Sequence, residues 1–257
     1  MYSGAMLELF AALVLLVQAQ ASPPPTLSAN VWEGRTAEVD AFLRDAVVTR
    51  VTEIDIGVTR PKRAFLEPGG LADSFAWKPL KPGRYNGYWE SYKSEIAAYE
   101  LDKLLGLNMV APAVERRVTG ITGAAVLWLQ NVRSWESVLP LPKPATWNFQ
   151  IARMKMFDDL IGNSDRNKGN LLVDGRWSLY LIDHSRAFVT DTRLPQVLEN
   201  IDRRLWEKMA ALDEPGLTAS VGPWLDRAQI RALLRRRDRM KQAIDALVAK
   251  HGEKIFF

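Results

Sequence analysis

The chain has 257 residues, 47% of them hydrophobic and 25% charged, a balance that supports a folded protein with one substantial core or two small lobes. Its 34 basic and 30 acidic residues are interspersed and leave a net charge of +4, so the mild basicity does not imply nucleic acid as a partner. With no cysteine and two histidines, disulfides, thiolate nucleophiles and zinc cages are excluded, and carboxylates, amides and lysines must carry any catalysis.

Residues 9–17 (LFAALVLLV) form a short apolar run, followed by Ala19-Gln20-Ala21 and then Pro23-Pro24-Pro25. This is the layout of a secretory signal with a small-residue cleavage site, too short for a membrane span. The expectation is a signal peptide over 1–21, a linker over 22–34 and a domain over 35–257, in a secreted, periplasmic or secretory-pathway protein with no transmembrane segment after cleavage. The alternative is a cytoplasmic protein whose N-terminal helix packs on the domain.

Thr36 is placed to cap a short helix reaching about residue 47. Residues 47–58 and 62–67 are rich in Val, Ile and Thr, and Pro68-Gly69-Gly70 turns the chain into 72–80, so antiparallel hairpins are expected. Over 91–106 the apolar spacing is helical, with Ser91 as cap and Gly106 as stop. Residues 113–118 and 123–130 read as two further strands, which makes 35–130 a sheet with a helix. Pro140, Pro142 and Pro144 put a connection over 131–145. Helices follow over 147–162, 199–212 and 226–250, with a strand pair, 171–174 and 178–182, turning at Gly175. Arg231, Arg235, Arg236, Arg237 and Arg239 lie opposite Ile230, Leu233, Leu234 and Ile244, which reads as a solvated amphipathic face. The fold class is α+β: a two-lobed arrangement with an antiparallel N-lobe and a mostly helical C-lobe over about 146–257.

The stretch that carries chemistry is 157–188 (FDDLIGNSDRNKGNLLVDGRWSLYLIDHSRAF): a helix end, a polar loop, a hairpin, and an acidic residue directly after its second strand. Phosphoryl transfer needs one carboxylate to take the acceptor proton, plus an amide and a second carboxylate on the metal ions. Asp165 and Asn170 are five apart, the spacing of the catalytic Asp and metal-binding Asn of protein kinases. A tight hairpin returns Asp183 beside that loop, and Asn170 with Asp183 offers hard oxygen ligands suited to Mg²⁺ or Mn²⁺. His184 reads as a structural hydrogen-bonding neighbour. Lys78, ending an N-lobe strand, and Glu95, on the helix after it, complete the ATP-lysine pair. The phosphate-covering loop, 57–62, has a single glycine, so Thr59, Arg60 and backbone N–H groups would cover the phosphates.

The segments SYKSEIAAYELDKLLGL and VAPAVERR, the strand FAWKPLK, and FDDLIGNSDRN with LIDHSRAF resemble the atypical kinases that include the secretory-pathway Golgi casein kinase family. More distantly they resemble HipA-like kinases and phosphatidylinositol 4-kinases of type II. The resemblance covers about 50–190 and implies Lys78 on ATP and Glu95 as its partner, approaching the metal as in the Golgi family. It implies Asp165 as catalytic Asp and Asp183 as metal ligand, with 127–130 as the strand beside adenine. Asn170 follows the lipid-kinase and HipA-like version, whereas Golgi-type members are acidic thereabouts. The expected activity is transfer of the ATP γ-phosphate to a hydroxyl, protein Ser or Thr first. A lipid or carbohydrate acceptor, AMP transfer and an inactive nucleotide-binding pseudokinase are the alternatives.

Overall fold

Seven strands and two helices precede the link between the lobes in a computed structural model that describes residues 29–54 and 61–257. The expected signal segment lies outside the described residues, as do Thr59 and Arg60. Helix α1 (Thr36–Asp45) leads into β1 (Val48–Glu53), β2 (Lys62–Leu66) and β3 (Ser74–Lys78). A small hairpin, β4 (Gly83–Tyr85) and β5 (Tyr88–Glu90), precedes α2 (Tyr92–Leu105); β6 (Ala113–Val118) and β7 (Ile121–Leu127) complete the lobe. The main sheet is antiparallel in the order β1-β2-β3-β7-β6. Its apolar positions supply the core through Ala64, Phe75, Trp77, Ala125 and Leu127, and α2 packs over β6 and β7.

The sequence of α2 sets both of its ends. The Ser91 hydroxyl accepts from the Lys93 N–H, and Gly106 stops the helix in the left-handed region at φ 64°. Asp102, 1% exposed, then takes the three N–H groups of Asn108, Met109 and Val110 at 2.9–3.0 Å, fixing the exit toward β6. Burial pushes this carboxyl up to about 6, against the pull of the three donors. Asp102→Ala strands those donors in the interior, and urea denaturation is expected to show a loss of about 3 kcal/mol.

The C-lobe begins with β8 (Val132–Ser134) and a short α3 (Trp135–Val138), followed by α4 (Trp147–Ile161), β9 (Leu171–Asp174) and β10 (Leu179–Leu181). Helices α5 (Arg203–Ala210), α6 (Glu214–Val221) and α7 (Arg227–His251) close it, and β10-β9-β8 forms a three-stranded sheet. Ala29 and Trp32, within the 22–34 stretch, are buried: the Ala29 N–H donates to Asp174 Oδ2, and Trp32 meets Tyr180 edge-on.

Several expectations are corrected. Thr36 is the first helical residue of α1, not its cap, and its N-cap Arg35 makes no side-chain cap bond. The 131–145 connection contains β8 and α3, because Val132 and Ser134 pair with β9 and the Ser134 hydroxyl caps α3. The 199–212 helix is shorter, 203–210, since Asp202 caps it; α6 is additional, started by Asp213 accepting from Gly216 N–H. The β4–β5 hairpin turns on Asn86-Gly87, both at positive φ, a pair that favours two-residue turns. Arg236 is not on the solvated face: it is fully buried and donates to the carbonyls of Leu160, Val189 and Asp191.

Candidate active site

Lys78 ends β3, where it pairs in register with Ala124 of β7. The neighbouring Gly123 is required there, since a Cβ would stand 2.6 Å from the Lys78 carbonyl oxygen and from Pro79 Cα. The Lys78 ammonium donates to Glu95 Oε1 at 2.6 Å and to Asp183 Oδ1 at 3.0 Å, joining the two lobes through one cation. Glu95 is 2% exposed, and its second oxygen accepts the His184 backbone N–H at 3.0 Å. Both of its oxygens are therefore engaged within the protein.

Burial alone would drive both members of this pair toward neutrality. For Glu95 the Lys78 charge and the His184 contact outweigh it and hold the carboxyl well below the usual range. For Lys78 the Glu95 and Asp183 charges outweigh it and raise the ammonium above the usual lysine value. The sign follows for each. Glu95's contribution to stability is present above the ordinary carboxylate range and is lost as pH falls toward its depressed value. Lys78's is present below the ordinary lysine value and is lost only as pH climbs past it. The tie is intact across neutral pH.

In the C-lobe, Gly162 ends α4 in the left-handed region at φ 67°, and the chain enters the 163–170 loop. A buried ion pair builds that loop: Arg166 Nε and Nη2 reach the two oxygens of Asp158 at 2.9 Å, with side-chain exposures of 3% and 0%. The same guanidinium donates through Nη1 to the carbonyls of Asn170 (3.1 Å) and Ile182 (2.8 Å). Its Nη2 also meets His184 Nε2 at 2.9 Å. Arginine has no acceptor, so Nε2 must accept and the imidazole proton sits on Nδ1, facing Glu95 Oε2 at 3.7 Å. Burial lowers the His184 pKa, and the ring stands as a neutral spacer.

Amides hold the backbone of Asp165. Asn163 Oδ1 accepts its N–H at 3.3 Å, while Asn167 and Asn170 Nδ2 donate to its carbonyl at 3.1 and 3.2 Å. The Asp165 carboxylate is 40% exposed and meets Arg186 Nη1 at 3.2 Å. Because Asn170 spends its Nδ2 on Asp165, its Oδ1 remains an acceptor. The Ile182 N–H donates to the Asn170 carbonyl at 3.2 Å, which draws the chain leading into Asp183 against the Asn170 backbone. Asp183 has φ 60°, a left-handed conformation that Asp and Asn tolerate best among residues with a side chain.

The structure thus joins Lys78, Glu95 and Asp183 directly and brings Asp165 and Asn170 together on one loop. Thr59 and Arg60 are outside the described residues. Sequence reasoning missed Asp158, Arg166, Arg186 and Glu90; Arg166 follows Asp165 directly, and only the fold reveals its partners. Among the described residues no three His, Cys, Asp or Glu side chains converge as a metal cage. The pair Asn170 and Asp183 nevertheless fits Mg²⁺ or Mn²⁺, which take one or two protein oxygens and complete their shell with phosphate and water.

No family model matches the chain, and no curated protein matches it in sequence. Solved structures do. The Golgi casein kinase with Mn/ADP bound is 15% identical at a TM-score of 0.66, covering 86% of this chain and 78% of that one. Hydra Fam20 with sugar is 17% identical at 0.70, covering 86% and 92%. The Helicobacter pylori proinflammatory kinase CtkA is 12% identical at 0.51, covering 83% and 97%. A likeness at such identities is one of fold. The chain has the two-lobed α+β fold of an atypical kinase, of the kind seen in the Golgi casein kinase.

Proposed function

We propose that the chain is an ATP-dependent phosphotransferase that moves the γ-phosphate to a hydroxyl, in the first place that of a protein Ser or Thr. The observation that carries this reading is the Lys78 ammonium bound at once to Glu95 of the N-lobe and Asp183 of the C-lobe, at 2.6 and 3.0 Å. In this reading Lys78 contacts the α and β phosphates, held in place by Glu95. Asp183 and Asn170 would hold Mg²⁺ or Mn²⁺, which supplies charge neutralisation on the transferring phosphate. Asp165 takes the acceptor proton. Both of Glu95's oxygens are occupied by Lys78 and His184, which favours Glu95 as the lysine's partner over a metal ligand. Asp165 and Asp183 are 40% and 36% exposed, which leaves both carboxylates within reach of an incoming acceptor.

The Golgi casein kinase structure contains manganese and ADP, and that pair is the natural probe. ADP with Mn²⁺ at about 100 times Kd is expected to raise the melting temperature of the wild type by roughly 5–10 °C. Asp183→Asn keeps the left-handed backbone but removes the anionic metal ligand. It is expected to lose most of that rise while its melting temperature without ligand stays close to that of the wild type. An Asp183→Asn shift equal to that of the wild type contradicts the assignment of the metal ligand.

We further propose that the chain is exported, on the signal-like layout of residues 9–21. No helix of the described residues is long and apolar enough to cross a membrane. N-terminal sequencing of the native protein is expected to begin near residue 22, and a native chain starting at Met1 contradicts cleavage.

A further inference from the structure

Arg186 stands three residues beyond Asp183 and links two carboxylates from different lobes. Its Nε and Nη2 donate to Glu90 Oε1 at 3.0 and 2.9 Å, and its Nη1 donates to Asp165 Oδ1 at 3.2 Å. Glu90 ends the β4–β5 hairpin, is 1% exposed, and has a second oxygen with no hydrogen-bond partner among the described residues, so its charge is met by Arg186. The guanidinium also lies over the Tyr88 ring of the same hairpin, 4.5 Å from its centroid. The amides of the 163–170 loop fix only the backbone of Asp165. Among the described residues, the donor that reaches its carboxylate is Arg186.

We propose that Arg186 is the positioning residue for Asp165. Anchored by Glu90, it holds one carboxylate oxygen of Asp165 and leaves the other to take the acceptor proton, so alignment of the base depends on the β4–β5 hairpin being docked. The inference rests on the phosphotransfer reading and adds to it a residue that acts through Asp165. The planar fork matters here because Nε and Nη2 hold Glu90 while Nη1, a separate nitrogen, reaches Asp165; a lysine would have to span both from one nitrogen on a flexible stem.

The test uses the full chain with two variants. Arg186→Lys keeps a positive charge against buried Glu90 but lacks the fork. The double variant Arg186→Gln with Glu90→Gln removes both charges, so no buried carboxylate is left alone. Steady-state transfer from ATP with Mn²⁺ is expected to show kcat down by about 100-fold in both, because a misplaced base is costly even at constant chemistry. KM for ATP and the melting rise with ADP and Mn²⁺ are expected to stay within twofold of the wild type, a split that a merely structural role would not produce. An active wild type with both variants within threefold of its kcat overturns the role of Arg186 alone. A kcat loss matched by an equal loss of nucleotide binding overturns it too. A wild type that transfers no phosphate overturns the phosphotransfer reading, and the role with it.

Discussion

Asp165→Asn is expected to lower kcat for phosphate transfer by roughly 10³-fold while leaving KM for ATP and the melting rise with ADP and Mn²⁺ unchanged; general-base catalysis is worth about 10²–10⁴-fold. The substitution is nearly isosteric. Its side-chain oxygen can still accept from Arg186, and the backbone contacts to Asn163, Asn167 and Asn170 do not involve the side chain. What disappears is a carboxylate able to receive the acceptor proton. Equal kcat reduction at all ATP concentrations, with nucleotide binding retained, is the signature of an interaction made in the transition state. Steady-state kinetics with both substrates varied measures it, and a variant as active as the wild type removes Asp165 from the chemistry.

The second large effect is expected at Lys78, where stability and activity fall together. Lys78→Met leaves Glu95, 2% exposed, without its cation. Breaking one side of a buried ion pair costs about 3–5 kcal/mol, because the remaining charge is stranded in the interior. Transfer is expected to drop to background, since the phosphate contact and the link to Asp183 go with the ammonium. The double variant Lys78→Met with Glu95→Gln separates the two consequences. It is expected to recover most of the lost stability, as neutralising the stranded carboxylate should, but none of the activity. Denaturant melts of the wild type, both single variants and the double variant give the coupling directly. Additive losses would contradict a mutual dependence of Lys78 and Glu95.

The sequence made legible those parts of the fold whose instructions are local. Helices α2, α4 and α7 combine apolar spacing with end signals, Ser91 and Gly106, Gly162, and Asp226, and each lies within a residue or two of its expected bounds. The β9–β10 hairpin is read from its turn. The β4–β5 hairpin also carries a local signal, Asn86-Gly87 between two tyrosines, but its strands of three residues each are too short to show an apolar pattern. Arg236 shows the opposite case. Its position, three after Leu233 and four before Met240, faces the core, whereas its residue type suggests solvent; three backbone carbonyls decide the matter, and nothing in the local sequence marks them.

The candidate site divides in the same way. Lys78, Glu95, Asp165, Asn170 and Asp183 were named from the sequence because phosphoryl transfer asks for those residue types in that order, and the structure brings Lys78, Glu95 and Asp183 into contact and Asp165 and Asn170 onto one loop. The residues that orient them were not. Arg166 gathers Asp158, the Asn170 and Ile182 carbonyls and His184, and Arg186 spans from Asp165 to Glu90, 96 residues away. Arginines are common and a fork has no sequence signature; the partners become visible only once two lobes and a hairpin are in place. The low identity to the structures of similar fold, 12–17%, points the same way, since a fold can persist on patterning while most side chains change.

Parallel reactions of the wild type with ATP labelled on the γ-phosphate and ATP labelled on the α-phosphate, with Mn²⁺ and a hydroxyl-bearing protein acceptor, test the proposed chemistry most directly. Acid-stable label is expected in the acceptor from γ-labelled ATP only, with one ADP formed per phosphate transferred, and roughly 10³-fold less with Asp165→Asn. Label arriving from the α-phosphate, or equal incorporation by wild type and Asp165→Asn, would contradict the account.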